Sequence, residues 1–245
     1  MNLVIPIASN SKFFNLEDYG YPKPLIEIMG KPMIQRVIEN ITEGNKFDKI
    51  IFIIKQEDSD KYHLDNTLRL LSPSKTEIIK LRTDTQGALC SVLLAIEHIN
   101  NSEPLIISNA DQIFLGGLSE YFIKFNDSDF EAACLTFKSV HPRWSYIRLD
   151  SKNYVIETAE KKPISKNAIA GLYLYKNGTD FIKYAMSSIR HGSDIDGIYF
   201  ISPVFNEFVL DNKKVGNFLV PNDNYHTFYS PQKIEEYESM IARGN

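Results

Sequence analysis

Residues 104–112 read Pro-Leu-Ile-Ile-Ser-Asn-Ala-Asp-Gln, an apolar run that passes directly into a polar segment. The run is short and has no polar position inside it, which is typical of a parallel strand with both faces buried. Similar apolar runs occur at residues 2–7 and 49–55, and the second of these is mostly isoleucine. The three runs predict the centre of a parallel β-sheet.

Helical patterns separate these strands along the first half of the chain. Residues 33–41 carry apolar side chains at helical spacing, and residues 60–71 and 86–99 are also predicted to be helical. A further strand is predicted over residues 76–81. Repeated strand–helix units predict an α/β fold in which helices cover both faces of the sheet.

The chain changes its pattern after residue 115, where strand-like stretches follow one another and predict mixed or antiparallel pairing. The predicted strands cover residues 130–137, 145–149, 153–157, 168–175 and 215–220, and the predicted helices cover residues 118–125, 178–189, 198–211 and 231–242. Trp144 and Tyr146 are interpreted as packing residues of a half-buried strand. No linker or repeat divides the chain, so we expect one domain over residues 1–245, with residues 1–115 and 116–245 as its halves.

Composition excludes several classes of protein. The 245 residues are 43% hydrophobic and 24% charged, and a net charge of −4 provides no basic surface for gripping nucleic acid. The two cysteines, Cys90 and Cys134, are too few for a disulfide framework. The N-terminus lacks a leader in which a basic segment is followed by an apolar one. No apolar run approaches the ~20 residues that a membrane span needs. We therefore expect a cytoplasmic protein that binds neither nucleic acid nor a membrane.

Three polar segments lie where predicted parallel strands or their loops end: Ala8–Lys12, Thr85–Ala88 and Ser108–Gln112. Ligands of open α/β sheets bind outside the carboxyl ends of the strands, so these segments are expected to share one crevice. Backbone N–H groups of the first could surround a polyphosphate. Gly87 in the second would permit close approach to a flat ligand, and Asp111 in the third is a candidate metal ligand.

A longer motif occupies residues 22–34, which read Pro-Lys-Pro-Leu-Ile-Glu-Ile-Met-Gly-Lys-Pro-Met-Ile. This stretch resembles the signature of the sugar-phosphate nucleotidyltransferases. Segments similar to that family's other motifs follow in the family's order at Thr85–Ala88, Asn109–Asp111, Glu160–Ser165 and Gly171–Tyr173, and His141–Tyr146 and Phe200–Glu207 resemble a subgroup linked to capsule and surface-polysaccharide synthesis. The resemblance implies a Rossmann-like GT-A fold, with a central, mixed but mostly parallel sheet flanked by helices.

The resemblance also implies a reaction and a division of labour. A phosphate oxygen of a sugar 1-phosphate, or of a comparable phospho-metabolite, attacks the α-phosphorus of an NTP and releases pyrophosphate. Residues 1–115 would bind the nucleotide and residues 116–245 the acceptor. Because the protein does little covalent work in such a transfer, positioning and charge neutralisation should dominate.

Roles for single residues follow from the same resemblance. Asp111 would hold Mg²⁺, a cation that takes one or two carboxylates and completes its shell with phosphate and water oxygens. The predicted catalytic residues are Lys12, Lys23 and Asp111; the predicted nucleotide-binding residues are Ala8, Ser9, Ser11, Gln86, Gly87 and Asn109; and the predicted acceptor-binding residues are Glu160, Lys161 and Gly171.

The chain departs from the family pattern at two places. The family's first loop runs Gly-x-Gly-(Ser/Thr)-Arg, whereas Ser9–Phe13 has no glycine and places Phe13 where the arginine is expected. Lys12 could replace that arginine, although lysine lacks its bidentate fork. Near the C-terminus, Tyr225–Thr227 has no counterpart of the aspartate that completes the family's metal site, and Asp223 is the nearest carboxylate in sequence.

Three functions therefore stay open at the level of sequence. The first is an active, Mg²⁺-dependent nucleotidyltransferase for a surface-polysaccharide precursor, with an NTP and a phosphorylated sugar or small metabolite as substrates. The second is a non-catalytic homologue that binds nucleotide or sugar phosphate as a regulatory or partner subunit. The third is a GT-A glycosyltransferase, although Asn109–Asp111 retains only the last residue of that class's Asp-x-Asp motif. The oligomeric state is also left open, a homo-oligomer included.

Overall fold

Strands and helices alternate along the chain. The computed structural model describes residues 1–9 and 13–243. The strands are β1 (Asn2–Pro6), β2 (Glu27–Ile28), β3 (Lys31–Pro32), β4 (Lys49–Lys55), β5 (Lys75–Leu81), β6 (Leu105–Ser108), β7 (Gln112–Phe114), β8 (Ala132–Lys138), β9 (Tyr146–Leu149), β10 (Val155–Ala159), β11 (Asn167–Tyr175), β12 (Val215–Leu219) and β13 (Tyr225–Thr227). The helices are α1 (Leu16–Tyr19), α2 (Met33–Thr42), α3 (Gln56–Tyr62), α4 (Leu64–Leu71), α5 (Ala88–Leu93), α6 (Ile96–Ile99), α7 (Ser119–Asp127), α8 (Gly178–Arg190), α9 (Val204–Leu210) and α10 (Pro231–Arg243).

Within the described residues, nine strands form one mixed sheet. Its order is β10-β9-β11-β6-β1-β4-β5, and β8 pairs with both β11 and β12. The strands β6, β1, β4 and β5 are parallel, and β11 runs antiparallel to β6. The predicted α/β class, with a mixed sheet whose centre is parallel, is therefore confirmed.

The pairing of β11 brings the two halves of the chain together. Because β8 covers one edge of β11, the other edge is shared by β6, which pairs through Leu172–Tyr175, and by β9, which pairs through Asn167 and Ala168. Between these two pairings, the backbone N–H of Asn109 donates to Gly171 O at 2.9 Å, and the backbone N–H of Ile169 donates to Ser145 O at 2.8 Å. Two residues of a strand span roughly 7 Å, so the end of β6 lies close to the start of β9.

Helices cover both faces of the sheet and bury a core on each. One core includes Leu3, Ile34, Phe52 and Leu172, between the sheet and the side of α2, α4 and α7. The other includes Val4, Leu89, Phe181 and Phe205, between the sheet and the side of α5, α8 and α9. Strands that contact apolar side chains on both faces explain why β1, β4 and β6 read as unbroken apolar runs.

Three predicted helices differ from the structure. The helix expected over residues 60–71 is part of two helices, α3 and α4, which meet at His63 in the left-handed conformation (φ 52°). The one expected over residues 86–99 is divided into α5 and α6, and starts only at Ala88 because Gly87 has φ 108°. Residues 198–203 are not helical, and α9 begins after Pro203. The two- and three-residue strands β2, β3, β7 and β13 are too short to produce a periodic pattern.

The aromatic residues Trp144 and Tyr146, which lie just before β9 and at its start, pack as expected. Tyr146 is fully buried, and its hydroxyl donates to His141 O at 2.7 Å. The indole of Trp144 contacts the rings of Phe137 and Tyr229, at centroid distances of 5.3 and 6.0 Å. Among the residues that the structure describes, no helix is both long and apolar enough to cross a membrane.

Candidate functional site

A cleft of about 720 Å³ opens at the carboxyl ends of the parallel strands. Segments that follow β1, β5 and β6 line it, together with the turn that contains Lys23. Its lining includes Ile7, Ala8, Ser9, Phe14, Lys23, Lys55, Asp58, Asp84, Thr85, Gly87, Ala88, Asn109, Asp111 and Ile198. All three polar segments singled out in the sequence thus reach one crevice.

An ion pair between Lys23 and Asp111 lies in this cleft. The two side chains are 20% and 24% exposed. Lys23 lies between Pro22 and Pro24 and begins the single 3₁₀ turn Lys23–Leu25. Its ammonium lies 5.5 Å from the centre of the Phe14 ring. The Phe228 amide donates to Asp111 O at 2.7 Å, which joins β13 to the end of the β6–β7 loop. The pair therefore places a cation and a carboxylate together, both reachable from solvent.

A buried polar network supports the backbone behind Asp111. Gln112 donates through Nε2 to Gly171 O at 2.8 Å and accepts at Oε1 from the Tyr225 hydroxyl at 3.1 Å. Burial, and secondarily the neighbouring Asp111 charge, raises the pKa of Tyr225 far above its usual range, so this phenol stays a donor. Gly171 has φ 60°, and a Cβ there would lie 2.3 Å from Asn109 Nδ2. Gly171 thus lies against the Asn109 side chain and is not part of the described cleft lining, and its predicted role in acceptor binding stays a prediction.

The first polar loop is described only in part. Ala8 and Ser9 line the cleft, whereas Ser11 and Lys12 lie outside the described residues. Phe13 is 53% exposed, and its ring centroid lies 6.4 Å from that of Tyr229. The position expected to carry an arginine therefore presents an aromatic ring beside the C-terminal part of the chain.

The conformation and the surroundings of residue 87 require a glycine. A Cβ at this residue would lie 2.4 Å from Tyr199 O, and its φ of 108° is rarely adopted by other residues. Gly87 does line the cleft, and the backbone of Tyr199 lies on the side where a Cβ would point. Gln86 is exposed and is absent from the described lining; its carbonyl accepts from the Tyr199 amide at 2.7 Å.

Glu160 and Lys161 follow β10, beside the start of β9. Ser145 and Ser202 both donate hydroxyl hydrogen bonds to the Glu160 carboxylate, the second at 2.9 Å. Burial raises the pKa of this carboxyl, and the two hydroxyls and the Lys161 ammonium lower it. Lys161 is exposed, and its ammonium lies 4.7 Å from the Phe200 ring. Neither residue lines the described cleft, but Ser145 and Asn109 bond to Ile169 and Gly171, which are two residues apart on β11.

The donor set fits a magnesium ion held by one carboxylate. No group of three or more histidine, cysteine, aspartate or glutamate side chains that could hold a metal occurs in the described chain. Asp223 lies in the turn Asn222–Asn224 rather than in the described lining, and Thr227 pairs with Gln112. Asp111, with the nearby Asn109 amide, could hold Mg²⁺ if phosphate and water supply the remaining oxygens, as this cation commonly allows.

Sequence reasoning missed the residues that hold Glu160 and the start of α5. Ser202 and Tyr199 lie in the segment predicted to be helical, and Ser145 lies between the two aromatic residues interpreted as packing, Trp144 and Tyr146. Asp58 lines the cleft after β4, and burial raises the pKa of its carboxyl. The signals were that residues 141–146 and 200–207 resembled subgroup motifs, and neither resemblance carried a role for any residue.

Comparisons with known proteins identify the family of the chain. Residues 18–217 match the model of the family described as nucleotidyl transferase. The bifunctional protein GlmU of Methanococcus aeolicus is 29% identical over 162 residues, which are 64% of this chain and 35% of that protein. The chain thus spans little more than a third of the length of the curated relatives that it matches.

Two solved structures show the same fold. The nucleoside-diphosphate-sugar pyrophosphorylase of Vibrio cholerae superposes with a TM-score of 0.82 at 19% identity, covering 97% of this chain and 99% of that one. The inositol-1-phosphate CTP transferase of T. maritima superposes with a TM-score of 0.76 at 15% identity and covers 99% of this chain and 96% of its own.

Proposed function

Because the chain belongs to the nucleotidyl transferase family, we propose that it transfers a nucleoside monophosphate from an NTP to a sugar 1-phosphate or similar phospho-metabolite. A phosphate oxygen of the acceptor forms a bond to the α-phosphorus, and the bond from that phosphorus to the bridging oxygen breaks to release pyrophosphate. The observation that carries the proposal is the Lys23–Asp111 ion pair in a cleft that all three polar segments reach.

The residues of the cleft supply charge and position for this transfer. Lys23 is placed to leave Asp111 and neutralise an α-phosphate oxygen when a triphosphate enters, since an ammonium is a mobile point charge. Mg²⁺ held by Asp111 would offset charge on the reacting phosphates. Backbone groups of Ala8, Ser9 and Ser11, with Lys12, would hold the remaining phosphates. Positioning and electrostatic stabilisation are the main contributions available to an enzyme of this reaction type.

The two halves of the chain would bind different substrates. In residues 1–115, Gln86, Gly87 and Asn109 are proposed to contact the base and ribose. In residues 116–245, Glu160 is proposed to accept hydrogen bonds from acceptor hydroxyls, and Lys161 is proposed to hold the acceptor phosphate. Gly171 is proposed to fix the Asn109 side chain between the two substrates. A role in capsule or surface-polysaccharide precursor synthesis in the cytoplasm is the proposed context.

A pyrophosphate-release screen tests the proposal. Purified protein is incubated with Mg²⁺, each of five NTPs and a panel of sugar 1-phosphates and other phospho-metabolites. We expect release from one pair, and a loss of at least about 100-fold in Asp111→Asn, because the variant loses the carboxylate charge that the site uses. Asp129→Asn is the matched control. It breaks an exposed ion pair with Lys214, a residue far from Asp129 in the sequence, and should keep full activity.

The loop around Phe13 favours a second candidate, a nucleotide-binding subunit without turnover. An aromatic ring there offers no charge to a triphosphate. This candidate predicts that an NTP raises the melting temperature while no acceptor yields pyrophosphate, since binding to the native state stabilises it without reaction. Phe13→Arg separates the candidates further: higher turnover supports the spacing assumed for the loop, and unchanged turnover points to Lys12.

A further inference from the structure

The segment Ile198–Ser202, termed the strap below, contacts the nucleotide end of the cleft. The Tyr199 amide donates to Gln86 O at 2.7 Å, and Tyr199 O accepts from the Leu89 amide at 3.2 Å. The Ile198 side chain lines the cleft and would lie 2.9 Å from a Cβ at Gly87. The strap therefore fixes the backbone at the start of α5.

The same segment contacts the residues proposed to bind the acceptor. Ser202 donates to Glu160 at 2.9 Å, and its own carbonyl accepts from the Thr158 hydroxyl at 2.9 Å. Phe200 lies under the Lys161 ammonium. Ser202 is fully buried, so its hydroxyl has little freedom to turn to water instead. Only three residues of chain thus lie between Ile198 at Gly87 and Ser202 at Glu160.

The two carboxylate oxygens of Glu160 differ in how many hydrogen bonds they accept. Ser145 and Ser202 both donate to Oε2. Oε1 accepts no hydrogen bond from any side chain or backbone group that the structure describes. Oε1 is also not among the buried polar atoms of the described residues that lack a partner, so water, or a ligand in its place, can reach it. Oε1 is therefore the oxygen available to a hydroxyl of the acceptor.

We infer that the strap serves both substrate sites, and that Ser202 and Ser145 are positioning residues that clamp Oε2 of Glu160 so that Oε1 receives the acceptor hydroxyl. The inference rests on the proposed function and assigns these two serines to acceptor recognition. Tyr199, in the same segment, holds the nucleotide end through its backbone. Acceptor affinity then depends on the serine hydroxyls, whereas NTP affinity does not.

Kinetics of serine variants test the inference with the sugar 1-phosphate selected by the pyrophosphate screen. Ser202→Ala and Ser145→Ala should each raise the acceptor KM roughly tenfold, which is the effect of losing about 1.4 kcal/mol from a hydrogen bond to a charged group. The NTP KM should stay within about twofold. Ser145→Thr keeps the hydroxyl and should restore the acceptor KM.

A pH profile gives a readout that general loosening would not move. The two hydroxyls lower the pKa of Glu160, so either alanine variant should move the acidic limb of kcat/KM for the acceptor to higher pH. The other titratable groups near this carboxyl are the Lys161 ammonium and the Tyr173 phenol. Burial raises the pKa of Tyr173 well above its usual range, so it stays neutral throughout the profile.

Ser188→Ala is the matched control, because Ser188 is also buried but its hydroxyl has no partner in the described structure. An unchanged acceptor KM in both alanine variants, or an equal rise in the NTP KM, would overturn the inference. If the wild type releases no pyrophosphate, the proposed function fails, and the serine variants are compared instead by the calorimetric Kd of glucose 1-phosphate. Equal Kd values, or no binding by the wild type, also overturn the inference.

Discussion

At the scale of single residues, Gly87 has the strictest requirements in the cleft. Its φ of 108° and ψ of 176° lie in a region that residues with a side chain almost never occupy. The Tyr199 carbonyl also occupies the space of a Cβ. Backbone geometry and the close contact with the strap therefore both exclude a side chain here.

We predict that Gly87→Ala lowers the free energy of unfolding by at least about 2 kcal/mol, because strain and displacement of Tyr199 add together. The KM for the NTP and the KM for the acceptor should both rise, since Tyr199 and Ser202 lie on one segment. Urea denaturation and steady-state kinetics measure the two effects. Gly192→Ala is the control: Gly192 has φ 65° and open space at its Cβ position, so about 1 kcal/mol of strain is expected. Equal losses in the two variants would contradict the role of the Tyr199 contact.

At the scale of elements, α10 holds the turn that carries Lys23. Ile234 and Tyr237 of α10 form a buried cluster with Phe14 and Ile26, which flank that turn, and with Phe228 after β13. The same Phe228 donates its amide to Asp111 O. One small apolar cluster thus positions both members of the Lys23–Asp111 pair from opposite ends of the sequence.

Ile234→Ala should therefore lower the free energy of unfolding by about 2–4 kcal/mol, through the cavity left in this cluster. The NTP KM should rise as well, because the turn holding Lys23 loses its support. Met240→Ala on the same helix is the comparison, since Met240 is 37% exposed against 8% for Ile234 and should cost less than about 1 kcal/mol. Chemical denaturation measures both variants, and similar losses would argue against a structural role for the cluster.

At the scale of the whole molecule, the sheet joins both halves of the chain in one continuous hydrogen-bonded layer. Cys134 lies in β8, opposite Tyr173 of β11 and Asn217 of β12, and is fully buried. Burial raises the pKa of its thiol far above the usual range. Exposure of this thiol requires β8 to separate from its neighbours.

Cys134 should therefore react with a thiol reagent only when the sheet opens, since the thiolate is the reactive form. In a Cys90→Ser variant, labelling should be negligible without denaturant and should rise with urea in parallel with the loss of circular dichroism. The wild type should show in addition a slow reaction at Cys90, which is half-buried and whose pKa burial also raises. Rapid labelling of Cys134 in the native protein would show that β8 opens independently.

Local patterns were sufficient to predict much of the fold and part of the site. The runs at residues 2–7, 49–55 and 104–108 predicted β1, β4 and β6, because a strand buried on both faces needs apolar side chains throughout. The polar segments after β1, β5 and β6 predicted the crevice, because carboxyl ends of parallel strands meet at one edge. Asp111 and Lys23 could be singled out from their motifs before their ion pair was known.

The tertiary structure alone decided which of these residues touch. Lys23 and Asp111 are 88 residues apart, and Ser202 and Glu160 are 42 residues apart, so neither contact leaves a local pattern in the sequence. The register of β11 sets how near Ser145 lies to Asn109, and the strap sets what Gly87 faces. Side-chain period and turn chemistry act over a few residues, whereas these contacts depend on how strands pair across the whole sheet.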